Sequence, residues 1–198
     1  MWKVHYDKVG KENHPPAYTL SKALVLMKGK GDLSEFKAID LGCGNGVDTF
    51  AMLSEGLEVL AIDKESDSLQ HIQKYINTEH TSKVNFKNTS FESLKELPSV
   101  NLVNATFSLP FCHPNKFENL WTIILKSINT KGFFSGHFFG KEDSWSSNNE
   151  MTFHDEKGIK SLFEGFELLY FKETTKKGKT LSGKEKFWHV FHVVAQKR

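Results

Sequence analysis

A short apolar run that stops on a glycine-rich turn and restarts as a helix constrains this chain more than any other feature. Residues 38–48 read Ala38-Ile39-Asp40-Leu41-Gly42-Cys43-Gly44-Asn45-Gly46-Val47-Asp48. The run ending at Leu41 has the length and apolarity of a strand buried on both faces. Glycines, lacking Cβ, let the backbone turn tightly and come against a ligand, and the helix behind them offers free N–H groups at its N-terminus. The second half of the signal is Val59-Leu60-Ala61-Ile62-Asp63, an apolar run ending on an acid about 20 residues past the turn, where a carboxylate accepts hydrogen bonds from ribose hydroxyls. Together the two halves predict an α/β fold with a nucleoside-binding crevice.

The rest of the chain continues the alternation. Leu20, Leu24 and Met27 mark a helix over Tyr18–Lys28, and the strand over Phe36–Leu41 leads through the glycines into a helix over Val47–Glu55. Then follow a strand at Glu58–Ile62, a helix at Glu65–Ile76 and strands at Val84–Lys87 and Asn101–Phe107. A helix at Lys116–Ile128, a strand at Gly132–Phe139 and a short helix at Asp155–Phe163 come next. Two strands without an intervening helix, Phe166–Glu173 and Phe187–Gln196, close the chain, and the lysine-rich stretch between Lys172 and Lys186 reads as a solvated hairpin loop. The expected architecture is a Rossmann-like, doubly wound, seven-stranded, mostly parallel sheet with an antiparallel C-terminal hairpin. At 198 residues the chain suits one domain spanning residues 1–198.

Composition removes several function classes. A net charge of +2 argues against nucleic acid as a partner. No run of about 18 apolar residues marks a membrane span, and Met1 to Asp7 lacks the apolar region of a signal peptide. Only two cysteines, Cys43 and Cys112, argue against a disulfide framework and for the cytoplasm. Nine histidines invite a metal reading, but His189 and His192 stand three apart on a strand and face opposite sides; no metal site is expected.

Two details distinguish the possible cofactors. A dinucleotide fingerprint needs a small residue where Val47 stands, and Asp40 repels a pyrophosphate but suits a ligand with ammonium and sulfonium centres. With these residues in place, the sequence resembles the class I S-adenosylmethionine (SAM)-dependent methyltransferases, and within them small bacterial proteins of the tellurite-resistance type. Asp40-Leu41-Gly42-Cys43-Gly44-Asn45-Gly46 is similar to their first motif and Asp63 to their ribose-binding acid, with Lys64 beside it. The likeness spans nearly the whole chain. It implies adenine contacts at Ser90 and Phe91, although Ser90 replaces a frequent aspartate, and a segment from Asn104 to Leu109 facing the methyl group. It also implies that residues 1–34, a segment with Tyr6 followed by a helix, cover the cofactor site.

Tyr6, Phe107, His137 and Trp145 are the candidate substrate residues, and packing is the alternative role for His137. Asp143, near Trp145, is a weaker candidate. The resulting expectation is methyl transfer from SAM to a small molecule by a monomer or homodimer. A SAM- or nucleoside-binding regulatory module is the alternative, and an NAD(P)-dependent oxidoreductase a more distant one. Because the sulfonium leaving group is neutral, alignment of the reactants supplies much of the catalysis, and the sequence singles out no catalytic base.

Overall fold

The computed structural model describes residues 15–180 and 182–198. The elements are α1 (Tyr18–Lys28), β1 (Lys37–Leu41), α2 (Val47–Ser54), β2 (Glu58–Asp63), α3 (Ser66–Tyr75), β3 (Val84–Asn88), β4 (Val100–Ala105), α4 (Pro114–Ser127), β5 (Ile128–Gly140), β6 (Phe153–His154), α5 (Glu156–Leu162), β7 (Phe166–Lys179) and β8 (Glu185–Lys197). They form one sheet of order β3-β2-β1-β4-β5-β8-β7, with β6 paired to β5. The strands from β3 to β5 along this order are mutually parallel. β8 runs antiparallel to both β5 and β7.

The strand order reverses between β1 and β4. From β1 the chain builds outward through β2 and β3, then returns to place β4 on the other side. In open α/β sheets the crevice outside the carboxyl ends of the strands at such a reversal is where ligands bind. The glycine turn after Leu41 and the segment after Ala105 both leave the sheet there.

Alternate residues of the central strands face opposite layers, and both layers are buried. Ile39, Val103, Phe134 and Phe138 lie with Leu120, Trp121 and Ile124 of α4 and with Ile159 of α5. Ala38, Leu102, Phe133 and Val194 lie with Leu20, Ala23, Leu24 and Met27 of α1 and with Met52 and Leu53 of α2. By the same alternation Asp40 and Asn104 fall on the side of α1 and α2.

Three expectations need correction. The sheet has eight strands, because the connection after β5 adds the two-residue β6, through Phe139–Phe153 and Gly140–His154 pairs; so short a strand carries no periodic signal. The fourth strand ends at Ala105, short of Phe107, whose φ of 51° breaks the extended backbone. The stretch from Lys172 to Lys186 is mostly ladder. β7 and β8 pair through Lys176–Trp188, Lys177–Phe187 and Lys179–Glu185, since the β-prone partner strand and its backbone hydrogen bonds outweigh the lysines' preference for solvent.

Candidate functional site

Two of the turn's glycines have a steric task. Gly42 has φ 72° and lies against Ser108, so a Cβ there would collide with that side chain. Gly46 has φ 86°, and its Cβ would sit 2.5 Å from Cγ1 of Ile72 on α3. The turn therefore stays close to its neighbours: Gly42 and Cys43 donate their N–H groups to the carbonyl of Ile62 at 2.8 and 3.0 Å. Ser108 donates its hydroxyl to the carbonyl of Leu41, which ties the loop after β4 to the end of β1.

Asp63, at the end of β2, holds the same turn. Its Oδ2 accepts the Gly44 N–H at 2.9 Å and its Oδ1 accepts the Glu65 N–H at 2.9 Å. A carboxylate has about four lone-pair positions, so each oxygen keeps capacity for a ligand hydroxyl. Lys64 is exposed and its carbonyl accepts from the Asn88 amide. The Phe91 ring lies beside Gly42, and Ser90 donates to Ser93. Leu41 and Cys43 send their side chains into the core, Cys43 against Ala61, Leu69 and Ile72.

Behind the turn lies a group of acids that sequence reasoning recognised only in part. Asp40 is 2% exposed. Its Oδ2 accepts from the Thr49 hydroxyl at 2.6 Å and its Oδ1 from the Asn104 amide at 3.0 Å. The same amide nitrogen donates to Oδ2 of Asp48 at 2.9 Å. Asp48 Oδ1 accepts the Ala17 N–H at 2.9 Å, at the start of α1. The Asn104 oxygen accepts from Ser135 at 3.0 Å. Asn104, expected at the cofactor, thus commits its amide to joining the two acids. Every one of these partners is a neutral donor. Burial, with the neighbouring charge of Asp48, raises the Asp40 carboxyl to about 7. Asp48, Thr49 and Ser135 carried no assigned role in the sequence. The acid in the first turn of a helix was the available signal for Asp48.

The other side of the crevice is aromatic. Phe107 is 39% exposed and stacks on the buried His137, with ring centroids 4.0 Å apart and planes within 5°. Phe107 also approaches Phe139 and Trp188, at 6.3 and 6.5 Å between centroids. Trp145 lies 5.9 Å from Trp188 and 6.1 Å from Phe139.

Lys186, assigned by sequence to a solvated loop, is buried here. Its ammonium sits 3.8 Å from the Trp145 ring centre and 4.5 Å from that of Trp188, and pairs with the buried Asp143. The cation–π contacts and the ion pair explain why a lysine is tolerated inside. Asp143 also accepts from the backbone N–H groups of Trp145 and His189, so it is a structural anchor of the segment after β5. Of the expected substrate residues the structure brings Phe107, His137 and Trp145 into one aromatic cluster; Tyr6 lies outside the described residues. Among the described residues no group of three or more His, Cys, Asp or Glu side chains is placed to hold a metal ion. No helix among them is long and apolar enough to cross a membrane.

A parallel sheet reversing at a glycine turn, with an acid at the end of the neighbouring strand, defines a Rossmann-like α/β domain of the nucleoside-binding kind. The sequence places it further. Residues 38–132, just under half of the chain, match the family described as methyltransferase domain, which makes this stretch similar to the SAM-dependent methyltransferases as a class. It is 30% identical over 135 residues to the probable S-adenosylmethionine-dependent methyltransferase CRG1 of Saccharomyces cerevisiae, covering 66% of this chain and 44% of that protein. The chain therefore spans less than half the length of this curated relative. Among solved structures, TehB from Haemophilus influenzae superposes with a TM-score of 0.72 at 15% identity, covering 88% of this chain and 61% of TehB. The N-methyltransferase NodS from Bradyrhizobium japonicum, solved with S-adenosyl-L-homocysteine, gives 0.62 at 13% identity, over 88% of this chain and 85% of NodS.

The cofactor of this class is SAM, and the residues present fit it. The paired acids lack a cationic partner among the described residues, which suits a ligand bearing an ammonium and a sulfonium.

Proposed function

We propose that this chain transfers a methyl group from SAM to a small-molecule acceptor, with no nucleic acid as partner. The observation that carries the reading is the pair Asp40 and Asp48, buried beside the glycine turn and joined by one neutral amide, with Asp63 across the turn. In this reading Asp63 holds the ribose hydroxyls, the backbone from Leu41 to Gly46 lies along the cofactor, and Lys64, Ser90 and Phe91 border the adenine. Asp40 faces the amino-acid end, with Asn104 and Asp48 behind it. When bound, SAM supplies an electrophilic methyl group with a neutral sulfur leaving group. The protein's part is to fix that group in line with the acceptor and to keep water out.

The acceptor belongs beyond the ends of β4 and β5, against Phe107, His137 and Trp145. Their aromatic surface suits a small, partly apolar molecule. The two buried free cysteines support a cytoplasmic protein, acting as a monomer or homodimer. Calorimetry tests the cofactor: SAM and S-adenosylhomocysteine bind in the micromolar range and NAD does not, and the reverse result refutes the reading. An acceptor screen that follows S-adenosylhomocysteine then separates an enzyme from a binding module.

A further inference from the structure

Four buried side-chain atoms among the described residues lack a hydrogen-bond partner: Thr19 Oγ1, Ser68 Oγ, His137 Nδ1 and His154 Nε2. Thr19 and Ser68 are in helices, and His154 packs between Phe117 and Phe138. His137 alone stands near the carboxyl end of a central strand, at the edge where ligands sit. Leaving such a nitrogen unpaired is costly, so a ligand that supplies its partner is favoured. Phe107, a residue with positive φ that is itself partly exposed, stacks on the His137 ring. A non-glycine residue held in that region is strained, which lowers the cost of moving it aside.

The charges around this place discriminate among acceptors. Among the described residues, the one ammonium within the aromatic cluster, that of Lys186, is committed to Asp143. His192 faces His137 across the β5–β8 ladder, 4.9 Å between centroids, and Lys172 and Lys176 lie near His192. Lys172 and Lys176 disfavour a cationic amine on that side, while Asp40 and Asp48 offset the cofactor's own charge. An aromatic wall with one unpaired ring nitrogen suits an uncharged body carrying one hydroxyl.

Resting on the methyltransferase reading, we infer that the acceptor is an uncharged, ring-sized molecule with a hydroxyl group, and that His137 Nδ1 accepts the proton of that hydroxyl. The acceptor oxygen's lone pair forms the bond to the methyl carbon while the carbon–sulfur bond breaks and its pair stays on sulfur. The hydroxyl proton passes to Nδ1, and the imidazolium returns it to solvent after the ether leaves. Burial and His192 hold the His137 imidazole down to about 3, so it is neutral and ready to accept at physiological pH. A base this weak is adequate, because the oxygen's proton becomes strongly acidic as the new bond forms.

Phenol serves as the probe. Protein labelled with 15N and saturated with S-adenosylhomocysteine is titrated while long-range 1H–15N spectra follow the imidazole nitrogens. Phenol moves the Nδ1 resonance of His137, whereas benzylammonium and selenite leave it in place. His137→Phe weakens phenol binding about tenfold, the loss of one hydrogen bond, with S-adenosylhomocysteine affinity unchanged. Phe107→Ala, which uncovers the ring, keeps the Nδ1 response. If S-adenosylhomocysteine binds but phenol leaves His137 unmoved, or selenite or benzylammonium moves it as far, this inference fails alone. If S-adenosylhomocysteine does not bind at all, the methyltransferase reading fails with it.

Discussion

Replacing Asp40 by Asn should make the free protein more stable at pH 8 and a poorer binder of SAM. Raising a carboxyl from its ordinary 3.8 to about 7 corresponds to roughly 4 kcal/mol against the native state once the group is ionised. The sign follows from proton counts. Between about pH 4 and 7 the native state keeps a proton that the unfolded chain has released, so stability falls as pH rises through that window. The amide of Asp40→Asn resembles the protonated acid. Its oxygen still accepts from Asn104, and its NH2 donates to the Thr49 hydroxyl, which can reverse its role. Urea unfolding followed by tryptophan fluorescence should show the variant about 2–4 kcal/mol more stable at pH 8 and within about 1 kcal/mol of the parent at pH 4. Calorimetry at pH 8 should show SAM binding at least about tenfold weaker, because a buried acid facing the ammonium has been neutralised. A variant no more stable than the parent at pH 8, with unchanged SAM affinity, would refute the account of this cluster.

Further outcomes follow from single contacts. Asp63→Ala should weaken SAM binding by about 1.5–3 kcal/mol, the range for a hydrogen bond to a charged group, in a protein that calorimetry and circular dichroism show to be folded. Gly42→Ala should lower stability by about 1–3 kcal/mol through its positive φ and the collision with Ser108, measured by urea unfolding. Lys186→Met should cost about 3–5 kcal/mol because Asp143 is left buried without its cation. Adding Asp143→Asn to that variant should recover part of the loss, and a double-mutant cycle showing strict additivity would contradict a direct pair.

The parts of the fold that show in the sequence are those whose signal is local. The strand before Gly42, the helix after Gly46 and the acid at Asp63 each follow from a pattern within a few residues, as does α1, whose range matches its reading. The lysines from Lys172 onward hid an alternating ladder, because burial of the opposite strand decided their conformation. Lys186 meets Asp143 across 43 positions, and its cage exists only when β8 lies against β5. Asp40 was read from its place in the glycine motif, but its link to Asp48 runs through Asn104 and appears only with the fold. The turn of Phe107 into positive φ has no compositional cue, since glycine or asparagine is the usual occupant of that region.

That link has a consequence for how the crevice comes into being. Asn104 lies 64 positions from Asp40 and 56 from Asp48, and Ser135 steadies it from 31 positions further along. The first strand, its glycine turn and its helix are contiguous and can form early, but until β4 docks the two acids face each other with nothing joining them. Docking of β4 against β1 is thus also the step that joins the two acids. A ligand with positive charge, binding only the completed arrangement, should act as a clasp on the two halves of the chain. Amide exchange at the end of β1 and at the start of α2 should slow together with that in β4 when SAM is added.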